Sequence, residues 1–156
     1  MESWRTVAAV AGVVLVAIYA IGSGFWVNSN PGWYYALNRP SWQPPSWIFG
    51  IIWPYNFIAL GITAFAVSRS LSRTLIFTWL AFFAVSVFAA LLWSYLFYMP
   101  HNLIGAASAL ITAAILTIPL TIITFRVSIG YGLALLPYQI WVAIASSLAV
   151  GYALKN

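Results

Sequence analysis

The chain has no cysteine, one histidine (His101) and one acidic residue, Glu2, among 156 positions. Without cysteine there is no disulfide, no thiolate metal site and no thiol nucleophile. With a single carboxylate, no pair of acids can divide the work of general acid and base, and His101 has no carboxylate beside it to orient it as a base. His101 therefore reads as a residue of a turn rather than an axial haem ligand. No resident metal or intrinsic cofactor is expected. Charge of either sign is scarce: Asp, Glu, Lys and Arg make up 4% of the chain. Glu2, Arg5, Arg39, Arg69, Arg73, Arg126 and Lys155 all lie outside the long apolar runs. An ion or proton path would call for a carboxylate or lysine inside a span, so none is expected. The net charge of +5 comes from cations scattered singly. That pattern matches contact with lipid headgroups and gives no surface for nucleic acid.

What the chain does have is apolar surface, with 64% hydrophobic residues and a mean hydropathy of +0.99. Such a composition cannot present a soluble exterior and defines an integral, multi-pass membrane protein. Five apolar stretches, about 7–26, 46–67, 73–98, 103–125 and 131–154, are each long enough to cross the hydrocarbon layer as a helix. The fold class is all-α: one domain over 1–156, a bundle of five transmembrane helices with a structured first loop at 27–45. The first run lacks a small-residue cleavage site and reads as a retained helix. Pro54 and Pro119 predict kinks inside their spans, and the fifth span contains Pro137. The short polar turn Ser68 to Ser72 predicts that the second and third spans pack directly against each other. Small residues recur at every fourth position (Ser86, Ala90, Ser94; Gly105, Ala109, Ala113; Ala143, Ser147, Gly151), a pattern of close packing within the bundle or along a dimer seam. Arg5, Arg69, Arg73 and Arg126 fall on one side and Arg39 and Lys155 on the other, which places the N-terminus in the cytoplasm. No internal repeat is visible, which argues against an inverted-repeat transporter.

One stretch breaks the helical pattern. Gly32 to Trp53, GWYYALNRPSWQPPSWIFGIIW, holds four of the nine tryptophans and three of the eight prolines. Pro40, Pro44 and Pro45 cannot continue a regular helix, so Trp33 to Pro45 reads as a lid, with Trp33, Arg39 and Pro40 on it, and Trp47 opens the second span. Trp33 to Asn38 has room for a short interfacial helix before Pro40. Trp53 and Asn56 share a helix face, as do Tyr138, Trp141 and Ala145 in the fifth span, and Trp93 lies late in the third. An aromatic cavity under such a lid suits a flat apolar ligand, because indole and phenol rings offer stacking faces plus an N–H or O–H. Arg39 is placed to pair with a carboxylate on that ligand.

The pattern Trp33-Tyr34-x-x-Leu37-x-Arg39-Pro40-x-Trp42-x-Pro44-Pro45-x-Trp47, followed by Trp53, then Trp93 and Pro137-Tyr138-x-x-Trp141, resembles the translocator protein or tryptophan-rich sensory protein family (TspO/MBR, the peripheral-type benzodiazepine receptors). The resemblance spans essentially the whole chain. It implies a five-helix bundle, often a homodimer, in a membrane, here a prokaryotic cell membrane. Its cavity would take a porphyrin or haem and, in some members, a sterol or synthetic drugs. Tyr34, Trp53 and Trp141 match the family positions tied to porphyrin binding and photochemistry. The implied ligand contacts extend to Trp42, Pro44, Pro45, Asn56, Trp93, Tyr138 and Ala145. Two positions depart from the family: Ala90 and Ala149 stand where it usually has asparagines. The resulting pocket should be drier, with Asn56 and Gln139 as the amides that compensate. Leu148, Tyr152 and Lys155 fit the permissive sterol-contact pattern near the C-terminus.

The functional reading is a membrane protein that binds a planar apolar ligand, a porphyrin- or haem-type tetrapyrrole, with a sensory, regulatory or transport role. Its partners are membrane lipids and that ligand. The alternatives are a light-dependent porphyrin-degrading enzyme, using Tyr34, Trp53 and Trp141, and a sterol- or lipid-binding transporter.

Overall fold

A computed structural model describes residues 2–156 of the chain. Five of its six helices are long and apolar enough to cross a membrane. These are α1 (Ser3–Gly24), α3 (Ser46–Ser70), α4 (Arg73–Tyr98), α5 (Leu103–Phe125) and α6 (Ile129–Lys155), while α2 is the short helix Pro31–Ala36. The protein is an all-helical, multi-pass membrane bundle. Large apolar side chains such as Ile21, Phe65, Phe88, Ile115 and Leu133 point outward along the spans, where lipid is their natural solvent.

Side-chain caps set several helix starts. Ser72 accepts from the Leu75 N–H, Asn102 from the Gly105 N–H and Ser128 from the Tyr131 N–H, each satisfying one of the free donors of a first turn. In the loop, Asn30 caps α2 in the same way and Pro31 occupies its first turn. The N-terminus of α1 begins earlier than the apolar run suggests, because Trp4 and Arg5 continue the helix past the hydrocarbon. The Arg5 guanidinium donates to the Ser68 and Leu71 carbonyls at 2.9 and 3.0 Å. A cation of α1 thus caps the C-terminus of α3.

The five spans close into a ring. Helix α1 packs on α3 and α4, α5 on α4 and α6, and α6 on α3. The expected direct packing of the second and third spans is therefore corrected: α1 separates α3 from α4. Leu71 and Ser72 are both extended, so a connection of two residues still splays the helices far enough to admit α1. Close approach of α1 to α3 depends on Gly12, where an added Cβ would lie 2.7 Å from the Ala64 Cβ.

Small-residue faces are used mostly inside the chain. Ser86, Ala90, Ser94, Ala109, Ala113 and Gly151 are all buried. The half of the bundle away from the first loop is filled by Trp79, Phe83, Leu60, Ile76 and Leu120, and Trp79 Nε1 donates to Thr124 Oγ1 at 3.0 Å to join α4 to α5. The other half is less completely filled, and the loop lies there.

Candidate functional site

The loop from Val27 to Pro45 folds back onto the ends of α4 and α6. Trp33 stacks flat on His101, with ring centroids 3.7 Å apart and planes 7° from parallel, and meets Phe97 edge-on. His101 is the one non-glycine residue with positive φ (56°) among the described residues. A left-handed histidine costs on the order of 1 kcal/mol, which the stacking offsets. Its ring is thus committed to the loop and lies off the cavity wall. Further along, Asn38 and Asn156 exchange hydrogen bonds, the Asn38 N–H donating to Asn156 Oδ1 at 2.9 Å and Asn156 Nδ2 donating to the Asn38 carbonyl at 3.2 Å. Pro40 is buried against Gly151, and Trp42 Nε1 donates to Ser147 Oγ at 3.1 Å. The small residues Ser147 and Gly151 are therefore the seat on which the loop docks.

Beneath the docked loop is a cavity of about 430 Å3, within the range of small-molecule sites. Its wall is built by the C-terminal end of α1, the loop, the first half of α3 and the ends of α4 and α6. Trp53 and Trp141 meet edge-to-face with centroids 6.5 Å apart, and Phe57 stacks on Trp53 at 5.5 Å. The indole nitrogens of Trp93 and Trp141 are buried without a hydrogen-bond partner. Three polar side chains meet on the wall: the Tyr152 hydroxyl donates to Gln43 Oε1, and Gln43 Nε2 donates to the Tyr34 hydroxyl at 3.5 Å. No charged side chain lines the wall. Among the described residues the one ion pair, Arg5 with Glu2 at 3.3 Å, lies at the far end of the bundle.

Of the residues singled out from sequence, Tyr34, Trp53, Trp93, Trp141, Ala145 and Ala149 are on this wall. The others are placed elsewhere. Tyr138 is fully buried and donates to the Tyr19 hydroxyl at 3.1 Å, in the core below the cavity. Asn56 is also fully buried, off the wall, with neither amide atom partnered. Ala90 borders a small adjoining void of about 10 Å3 that shares Trp53, Trp93 and Ala145 with the cavity wall, at the lower limit for a single water. Trp42 is half exposed and serves to dock the loop, while Pro44 and Pro45 shape the entry to α3. Arg39 is exposed beside the Tyr35 ring, 5.8 Å from its centroid, and does not reach the wall. Leu148 and Tyr152 turn into the cavity whereas Lys155 is exposed, so these three residues do not form one lipid-facing sterol surface. Gln139 spans to the neighbouring helix, donating to the Ala114 carbonyl at 3.1 Å.

Sequence reasoning missed Phe49, Phe57 and Phe97, although each is four residues from a wall tryptophan and so on its helical face. It also missed Gln43, which no periodicity in a loop could reveal.

These features define a polytopic helical membrane protein with an aromatic internal cavity closed by a docked loop. The chain matches the model of the TspO/MBR family over residues 6–154 and belongs to that family. It is 32% identical to protein CrtK of Rhodobacter capsulatus over 137 residues, covering 87% of this chain and 86% of that protein. It is 34% identical to the tryptophan-rich protein TspO of Chlorobaculum tepidum over 147 residues (92% and 90%). Human translocator protein is 26% identical over 133 residues (82% and 77%).

Proposed function

We propose that the cavity binds a planar, largely apolar ligand, a porphyrin- or haem-type tetrapyrrole, and that occupancy serves a sensory, regulatory or transport role. The observation that carries this reading is the wall itself. Trp53, Trp93, Trp141, Tyr34 and three phenylalanines present flat π-faces around about 430 Å3, and stacking on such faces favours extended aromatic rings. The proposed setting is a prokaryotic cell membrane with the N-terminus cytoplasmic, which puts the loop and the cavity at the outer face.

Protoporphyrin IX added to the purified protein should quench tryptophan fluorescence saturably at micromolar concentration. A Trp53→Phe, Trp141→Phe variant should bind at least several-fold more weakly, each lost indole contributing on the order of 1 kcal/mol. A titration without saturation would refute the reading.

Light-dependent porphyrin breakdown is the second reading, supported by the edge contact of Trp53 and Trp141 on the same wall as Tyr34. Illumination of the bound complex distinguishes it: bleaching of the porphyrin no faster than in detergent alone leaves binding as the activity.

A further inference from the structure

We propose that Gln43 reads the polar edge of the ligand and makes the cavity prefer planar ligands that carry a carboxylate or carbonyl over purely hydrocarbon ones. This rests on the cavity being the binding site for a planar apolar ligand, as argued above.

Gln43 is the one amide on the cavity wall. Its Oε1 is occupied by the Tyr152 hydroxyl, which fixes the direction of the amide and turns Nε2 toward Tyr34. Nε2 has two N–H donors. The single contact it makes, to the Tyr34 hydroxyl, is 3.5 Å long, at the weak limit of a hydrogen bond. The Tyr34 and Tyr152 hydroxyl oxygens are likewise 3.5 Å apart, and Tyr152 has one proton, given to Gln43. The Tyr34 hydroxyl proton can reach the Tyr152 oxygen only at that long distance, so a ligand oxygen in the cavity can compete for it.

One N–H of Gln43 and the O–H of Tyr34 thus sit side by side as weakly committed donors; the other buried donors of the wall without a partner are the indole N–H groups of Trp93 and Trp141. A carboxylate accepts two such donors at once. No acidic side chain lies on the wall to repel it. Ser23, another polar residue on the wall, gives its hydroxyl to the Ala20 carbonyl of its own helix. Arg39, the expected carboxylate partner, lies outside. The amide four residues later takes that role because Pro40 docks on α6 and turns the chain inward.

The test uses the full chain in detergent micelles and two porphyrins, protoporphyrin IX with two carboxylates and octaethylporphyrin with none, titrated by tryptophan quenching. Gln43→Leu should weaken protoporphyrin IX about tenfold, the scale of a lost hydrogen bond to a charged group, and change octaethylporphyrin by less than twofold. Gln43→Glu, which sets a carboxylate against a carboxylate, should weaken protoporphyrin IX further still and leave octaethylporphyrin alone. If Gln43 merely latches the loop to Tyr152, Gln43→Leu will weaken both porphyrins equally while Gln43→Glu, which still accepts from the Tyr152 hydroxyl, will leave both unchanged, and the proposal fails while cavity binding stands. Equal affinity of the unaltered protein for the two porphyrins would also overturn it. Binding of neither would refute the ligand class and this assignment together.

Discussion

Ala149 lies on the cavity wall, one residue from Leu148 and one turn from Ala145. Ala149→Asn would add an amide there, and we expect it to raise affinity for carbonyl-bearing porphyrins about fivefold, one hydrogen bond of roughly 1 kcal/mol. Ala90→Asn should instead weaken binding, since the void it borders is too small for the amide and shares Trp53, Trp93 and Ala145 with the cavity wall, so the added atoms would push on those rings. Comparing the two variants by fluorescence quenching checks the placement directly. At this scale the wall tryptophans stood out in the sequence, because each lies several residues inside its span, away from the interfacial belt where indoles collect. The partners of a tryptophan were harder to read. Asn56, three residues after Trp53, turns into the core, while Phe49 and Phe57, four residues either side, follow the Trp53 ring to the wall. Phe57 lies about 100° round the helix from Asn56, the turn of one residue, whereas Phe49 and Asn56 are seven residues apart on nearly the same face, so there it is depth along α3 that separates a wall residue from a buried one.

Two elements depend on glycine. At Gly151 an added Cβ would lie 2.7 Å from Pro40 Cγ and 3.0 Å from Trp42 Cζ2, so Gly151→Val should lift the loop from α6. Chymotrypsin should then cut after the exposed Tyr35 several times faster than in the unaltered protein, and unchanged cleavage would show that the loop does not dock there. At Gly12 the obstacle is the Ala64 Cβ, on a residue with no side chain to swing away. Gly12→Ala should destabilise the bundle by about 1–3 kcal/mol, read as a lower Tm, and adding Ala64→Gly should restore most of the loss. The helices themselves were plain in the sequence, since their apolar runs and caps are local features. Which helices touch was not. The two extended residues at Leu71 and Ser72 and the reach of Arg5 to the Ser68 carbonyl are what admit α1 between α3 and α4.

For the whole molecule, the arrangement puts Arg5, Arg69, Arg73 and Arg126 at one end of the bundle and the docked loop, with Arg39 and Lys155, at the other. If the cation excess marks the cytoplasmic side, a cysteine introduced at exposed Ser29 should react with an impermeant maleimide on intact cells, and one at exposed Ser70 only after lysis. The absence of native cysteine makes this readout clean. The reverse pattern would invert the orientation. The central claim is that a planar ligand enters the bundle under the loop instead of lying on its lipid-facing surface. The most direct test is 19F NMR of the protein labelled with 5-fluorotryptophan and assigned by single Trp→Phe variants, titrated with protoporphyrin IX. The resonances of Trp53, Trp93 and Trp141 should shift together and saturate, while those of Trp4 and the fully buried Trp79 stay in place. Shifts confined to the exposed Trp47, with the three wall tryptophans unmoved, would contradict the account.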